Sequence, residues 1–403
     1  MTKSTTVLCA ASIAVSLLLS SCTAADPATN LEQPSALPAT QPTVYLSDAA
    51  LFAEHEKCRI IDGDPALTNM TIGFPIPKGR IDLRKGANVH IVGVDFPDKP
   101  GGKGSPQSQN EIYTEAIQSF YEAQSSVPLN FTWNWAPDWI TMPKSIKDYG
   151  LGGSFFEGRF NGSAYSSLAR TVIKEVDAKI DFTGANFLFI VFPPGLTSEE
   201  IGTFLVDTQN NFGTDEGEIL NLIMAGGDYV DTDTYIHEFA HGLGLTDIRD
   251  TTDLGNQNSD GMFYDMMNNP TYPELLVWHR FLLGFLENNQ LHCKTNSEAS
   301  THWLVPVASE SEGTKGVVVP INETEALIVE SRQPIGYDNR LAGADNLIGS
   351  VVYTLDSKVP YRRTPVKVVE VLKTGESVEV MGYRFSLVES GTYGDVVKIE
   401  KLG

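Results

Sequence analysis

Cysteine is scarce in this chain, with four in 403 residues, and basic side chains are outnumbered 29 to 51 by acidic ones. Nor is there a convincing internal repeat, or, past the first twenty residues, an apolar run near the ~20 residues that a membrane-crossing helix needs. So acidic a chain is a poor partner for nucleic acid, whose phosphates are held by lysine and arginine. The acidity fits an exported soluble protein, and an acidic surface is a commoner cause of it than calcium sites.

What is present begins with MTKSTTVLCAASIAVSLLLSSC. Lys3, an apolar run from Val7 to Leu19 and small residues up to Cys22 make a secretory signal over 1–21, too short to span a bilayer stably. Leu19-Ser20-Ser21-Cys22 resembles a bacterial lipobox, in which cleavage falls before the cysteine and the cysteine is then acylated. Cys22 is therefore the expected lipid anchor, with an ordinary cleavage site as the alternative. Loss of the signal removes Lys3 alone among charged residues and leaves 28 basic against 51 acidic side chains, a formal charge of −23. Residues 22–44 are rich in Pro, Ala and Thr and read as a tether. About 360 residues follow, enough for two or three domains.

Cys9 leaves with the signal, so Cys58 and Cys293 remain. In an oxidising compartment they are expected to pair. The rival is a latent form in which the Cys58 thiol, on an N-terminal segment of 45–85, occupies a metal.

NVHIVGVDF, from Asn88 to Phe96, reads as a buried strand. Asn110 to Glu122 is a core helix with Asn110 as a possible cap, and Asn130 to Trp135 alternates like a strand. A second helical pattern runs from Ser163 to Ile180, and NFLFIVF, from Asn186 to Phe192, is another buried strand. ILNLIM, from Ile219 to Met224, reads as a short strand at the sheet edge, lining a cleft. This alternation over 86–298 is an α/β layer. From 299 to 403 short β-type runs follow one another with no long helix between them, the texture of a separate β-sandwich-like domain.

The stretch HEFAHGLGLTD, His237 to Asp247, carries the chemistry. Asp231-Thr232-Asp233 supplies caps, and Tyr235, Ile236, Phe239, Ala240 and Leu243 supply an apolar face, so a helix runs through both histidines. Residues four apart share a helix face, so His237 and His241 can bind one divalent metal while Glu238 reaches a water on it. Gly244 can take the left-handed conformation that turns the chain, returning Asp247 as a third, oxygen ligand. Asp250, Asp260 and Asp265 compete for that third place, with spacing favouring Asp247. Downstream stands DGMFYDMMNN, from Asp260 to Asn269.

On His237, Glu238, His241, Gly244, Leu245, Asp247, Asp265 and Met267, the chain resembles metzincin-type zinc peptidases, and specifically the immune inhibitor A family of secreted bacterial metallopeptidases. VDFPD at 94–98, FPP at 192–194, VESRQPIGYD at 329–338 and the closing GESVEVMGYRFSLVESGTYGD extend the likeness over most of 86–403. The resemblance implies a zincin-like catalytic domain, followed by the β domain. It also implies zinc on His237, His241 and Asp247, Met267 as an apolar floor in a methionine turn, and Glu238 as general base. The implied activity is endopeptidase hydrolysis of protein or peptide substrates at the cell surface. The sequence departs from most metzincins in having no third histidine, and no tyrosine follows the methionine turn to steady the oxyanion. Tyr264 lies nearby without an assigned role, and His279 reads as a packed or surface residue. Asp253, Asn256, Asn258 and Asp260 are candidate calcium ligands or, on spacing, a solvated loop. Two other functions stay open: a non-catalytic surface protein with structural zinc, and a zinc hydrolase of a non-peptide bond.

Overall fold

The computed structural model describes residues 41–48, 52–64, 69–152, 161–201, 204–226, 231–250, 263–268, 274–360 and 363–403. Cys22, Asp253, Asn256, Asn258 and Asp260 lie outside the described residues, so the lipidation and calcium expectations find no structural counterpart here.

The first half is built on strands β1 (Ala87–Asp95), β2 (Phe131–Trp135), β3 (Ile140–Thr141), β4 (Phe187–Val191), β5 (Phe204–Asp207), β6 (Phe212–Thr214), β7 (Gly217–Ile219) and β8 (Leu222–Ala225). The main sheet has the order β2-β1-β4-β8-β5, with β3 also on β1. Every pair in it is parallel except β5 on β8. Parallel strands need crossovers, which here include helices α1 (Pro106–Gln124) and α2 (Gly162–Val176). The two faces of β4 show how the layers form. Phe187, Phe189 and Val191 pack in the core that holds Ile117, Phe120 and Tyr121 of α1, whereas Leu188 and Ile190 pack with Leu168, Val172 and Val176 of α2. Burial on both faces explains why these strands read as continuous apolar runs.

Two expectations need correction. The stretch near 219–224 is not the sheet edge: β8 lies between β4 and β5, and the antiparallel edge is β5. Asn110 does not cap α1. Ser105 does, accepting from Ser108 N, with Pro106 in the first turn, and Asn110 is buried inside the helix with its side chain donating to Pro106 O.

After the short helix α3 (Ser198–Ile201) come α4 (Thr232–Leu243) and α5 (Val277–Leu283). The second half contains β9 (Leu291–Cys293), β10 (Ser300–Leu304), β11 (Gly316–Pro320), β12 (Glu325–Arg332), β13 (Gly349–Asp356), β14 (Val366–Leu372), β15 (Ser377–Val380), β16 (Tyr383–Gly391) and β17 (Gly394–Lys401). They form a five-stranded sheet, β14-β13-β12-β11-β9, and a four-stranded one, β10-β17-β16-β15. Val317, Val319, Leu327 and Val329 of the first sheet share a core with Phe385, Leu387, Val397 and Ile399 of the second, as a sandwich requires. The opposite face of the five-stranded sheet, with Val318, Ile328, Val351 and Tyr353, joins the core that holds α1, α4 and α5. One apolar core therefore runs from the parallel sheet into the sandwich, and Thr40–Gly403 forms a single compact unit.

The described residues between 45 and 85 strap this unit. Ser47 N donates to Thr301 O at 3.0 Å, Ala53 N to Cys293 O at 2.9 Å, and Cys58 is disulfide-bonded to Cys293. With its sulfur in that bond, Cys58 is not a free thiol placed on a metal. Farther along, Thr71 N and Ile81 N donate to Gly244 O and Gly242 O, satisfying carbonyls at the end of α4 that have no partner within the helix.

Among the described residues no helix is long and apolar enough to cross a membrane.

Candidate metal centre

Helix α4 starts where the Asp231 carboxylate accepts from Thr234 N at 2.8 Å and from Thr234 Oγ1 at 2.9 Å. It ends at Gly244, whose φ of 102° lies in the left-handed region. Gly242 answers a different need, since a Cβ there would stand 2.3 Å from the Phe187 ring, so its absence lets α4 lie against β4. Every residue from Tyr235 to Leu243 is buried, which puts the polar groups of His237, Glu238 and His241 in a largely dry site.

These three side chains form the group able to hold a metal ion among the described residues, with ligand atoms within 4.8 Å of one another. Glu238 Oε1 lies 3.9 Å from His237 Nε2, and Glu238 Oε2 lies 4.0 Å from His241 Nε2. The other nitrogen of each ring is already committed: His237 Nδ1 to Met266 O and His241 Nδ1 to Leu245 O, both at 2.8 Å. A carbonyl oxygen can only accept, so each Nδ1 carries the proton. In the neutral ring Nε2 then bears a lone pair, the tautomer a metal requires.

Asp247 lies beside this group. Its Oδ1 stands 3.2 Å from His237 Nε2 and is buried without accepting a hydrogen bond. Two lone-pair atoms that close repel unless positive charge lies between them, which a proton or a divalent cation supplies. His237, Glu238 and His241 could therefore hold a metal of the kind bound by imidazole and carboxylate, and the orphaned Asp247 oxygen beside His237 is the observation that tests the fit.

Electrostatics follow the same geometry. Burial pushes the Glu238 carboxyl up to about 7 and His241 down to about 4. Burial alone would lower His237, but Asp247 and Glu238 outweigh it and leave the imidazole raised. Burial would likewise raise Asp247, yet the neighbouring imidazoles hold it well below the usual carboxylate range.

The competing acids are otherwise engaged. Asp265 accepts from Met267 N through Oδ1 and from Leu276 N and His279 Nδ1 through Oδ2, each at 2.7 Å. Asp250 pairs with Arg363 at 2.9 Å, and Asp260 is outside the described residues. Met267 is fully buried, and its carbonyl accepts from Ile248 N, tying this turn to the segment that carries Asp247. Tyr264 is buried with its hydroxyl donating to Leu347 O at 2.9 Å, a structural role. His279 is a packed residue with no exposure, as its apolar setting suggests.

Sequence reading missed two things. The Asp265–His279 pair that shapes the turn joins a loop to a helix 14 residues on, and only the pattern Asp-x-Met hinted at it. Arg249, with Nε 3.7 Å from Asp247 Oδ1, was also passed over, though it stands two residues from a proposed ligand. No protein-family model matches the chain, and no curated protein matches it in sequence.

Proposed function

We propose that the protein is a zinc-dependent endopeptidase of the metzincin type, similar to the immune inhibitor A family, exported as a lipoprotein and held at the bacterial surface through Cys22. The observation that carries this reading is the pair of Nε2 atoms, each ring fixed by a carbonyl on its Nδ1, facing Glu238, with an orphaned Asp247 oxygen beside His237. The mostly parallel sheet with one antiparallel edge strand, and the buried turn beneath His237, agree with a zincin arrangement.

His237 and His241, with Asp247 as the third ligand, would hold the zinc, which would supply Lewis acidity when bound. Glu238, which makes no hydrogen bond among the described residues, would accept a proton from the attacking water and pass it to the leaving amine. A structural site has no need of such a base. Among the described residues β5, which packs against α4, pairs with β8 alone, so its outer side is where an extended peptide could lie.

The test measures bound metal and casein cleavage for the mature chain and for Glu238→Gln. One equivalent of zinc in both, with cleavage in the wild type alone, is expected. Zinc in both with no protein cleaved by either favours the binding protein or a non-peptide hydrolase, and no zinc in either removes the metal reading altogether.

A further inference from the structure

Among the described arginines Arg80, Arg249 and Arg280 each bury a guanidinium nitrogen without a hydrogen-bond partner, and of the three Arg249 stands beside the proposed metal ligands. Arg280 and Arg332, both buried, each donate to several acceptors including carboxylates. On the surface Arg340 and Arg363 hold Asp233 and Asp250 at 2.7 and 2.9 Å. Arg249 has a side chain only 16% exposed, yet its Nε is buried without a hydrogen-bond partner. Its one charged contact among the described residues is Asp247, at 3.7 Å, too long for the paired hydrogen bonds by which a guanidinium grips a carboxylate. Asp247 is moreover the carboxylate shared with His237 and, on the reading above, with a cation. A buried guanidinium Nε with so weak a partner is costly unless an acceptor completes it.

We infer that Arg249 binds a substrate carboxylate beside the scissile bond and makes the site selective for it. This rests on the peptidase reading. The carboxylate has two sources: an acidic side chain flanking the bond, or the C-terminus of a peptide ending just beyond it. The chemistry is the same in both cases, a planar fork meeting two oxygens in a site of low water content. A chain carrying a formal charge of −22 repels acidic peptides at long range, so a local cation is what such a preference requires.

The experiment uses two peptide pairs, one differing by Glu or Gln next to the scissile bond and the other by a free or amidated C-terminus there. Dissociation constants are measured on zinc-loaded Glu238→Gln protein, which binds without turnover, and on the same protein carrying Arg249→Gln. The expected result is about tenfold tighter binding of the carboxylate member of at least one pair, weakening with salt. That ratio should collapse to about one with Arg249→Gln and invert with Arg249→Glu. Equal binding within both pairs, or a ratio that survives Arg249→Gln, overturns the inference, and the first of these needs no Arg249 variant to fold. Wild-type cleavage separates the two ideas. Peptides bound with the preference but left uncut sink the peptidase reading and keep Arg249's role, whereas cutting without preference does the reverse.

Discussion

Two of the buried polar clusters among the described residues differ in how much of their bonding capacity is used. In the first, around α4, His237 and His241 each spend one ring nitrogen, and among the described residues neither Glu238 nor the Asp247 Oδ1 accepts a hydrogen bond. In the second, between the α/β layer and the sandwich, Arg332 donates to Glu330 at 2.6 Å, to both oxygens of Asp338 at 3.0 and 3.1 Å, and to Leu275 O. Glu330 also accepts from Val277 N and the Tyr353 hydroxyl, and Arg280 joins Glu274, Gln124 Oε1 and Val307 O. Only peripheral atoms, Arg280 Nε and Gln124 Nε2, are left over. Burying polar groups is tolerable when partners are supplied, so the largely satisfied cluster reads as structure and the unsatisfied one as a place kept for a ligand.

The clusters are also joined. Arg332 holds the carbonyl of Leu275, the next residue's N–H meets Asp265, Asp265 shapes the turn at Met267, and Met266 O fixes His237. The satisfied cluster thus braces the unsatisfied one.

The largest effect should come from breaking that brace. Arg332→Met leaves the Glu330 and Asp338 carboxylates buried without their cation, and an expected loss of about 3–5 kcal/mol follows, read by denaturant unfolding. Replacing Glu330 and Asp338 by apolar residues in the same chain should restore much of it. A loss under about 1 kcal/mol for Arg332→Met alone would mean that the network is not structural, and the contrast between clusters would fail.

A third set of buried imidazoles sharpens the contrast through pH. His292 and His302 meet Nδ1 to Nδ1 at 2.9 Å, their outer nitrogens reach Thr314 Oγ1 and Ser300 Oγ, and Phe52 stacks on both. Unlike His237 and His241, they use both nitrogens. Burial, with His55 adding to it, pushes His292 down to about 4, and burial with His292 and Lys294 nearby holds His302 well below its ordinary range. In the unfolded chain both titrate near ~6.5. Between that value and about 4 the unfolded state binds protons that the folded state refuses, so stability falls as pH falls through this window. The expected loss is at most about 3 kcal/mol for His292. The double variant His292→Phe, His302→Phe should flatten the slope of unfolding free energy against pH; an unchanged slope would show that these rings are not the buried neutral pair described.

How much of this was legible in sequence depends on the range of each interaction. The cap at Asp231, the turn at Gly244 and the two histidines one turn apart are local, and the eleven-residue stretch displays all of them. The Cys58–Cys293 pairing was legible by elimination, although the bond spans 235 residues. Edge and interior strands were not, because that distinction depends on which strands pair. The unbroken apolar run of β8 was in fact the mark of an interior strand. Ser105-Pro106 was the better start signal for α1, overlooked because Asn110 stood nearer the apolar pattern. The brace was illegible: Arg280 and Gln124 are 156 residues apart, and charges such as Glu330 and Arg332 in a strand look like surface until the segment leading into α5 covers them.

The smallest effect on stability should accompany the largest on chemistry. Glu238 lies 3.9 and 4.0 Å from the two imidazoles, accepts no hydrogen bond among the described residues, and is pushed up to about 7 by burial, so its carboxylate contributes little to holding the fold. Glu238→Gln keeps the shape and removes the buried ionisable group. In metal-free protein its unfolding free energy should lie within about 1 kcal/mol of the wild type, or above it. Peptide hydrolysis, by contrast, should fall by about 10²–10⁴ if Glu238 is the base. A destabilisation of the size expected for Arg332→Met would place Glu238 with the structural cluster and dissolve the distinction between the two. A near-silent change in stability joined to lost turnover is the signature of a residue retained for chemistry alone.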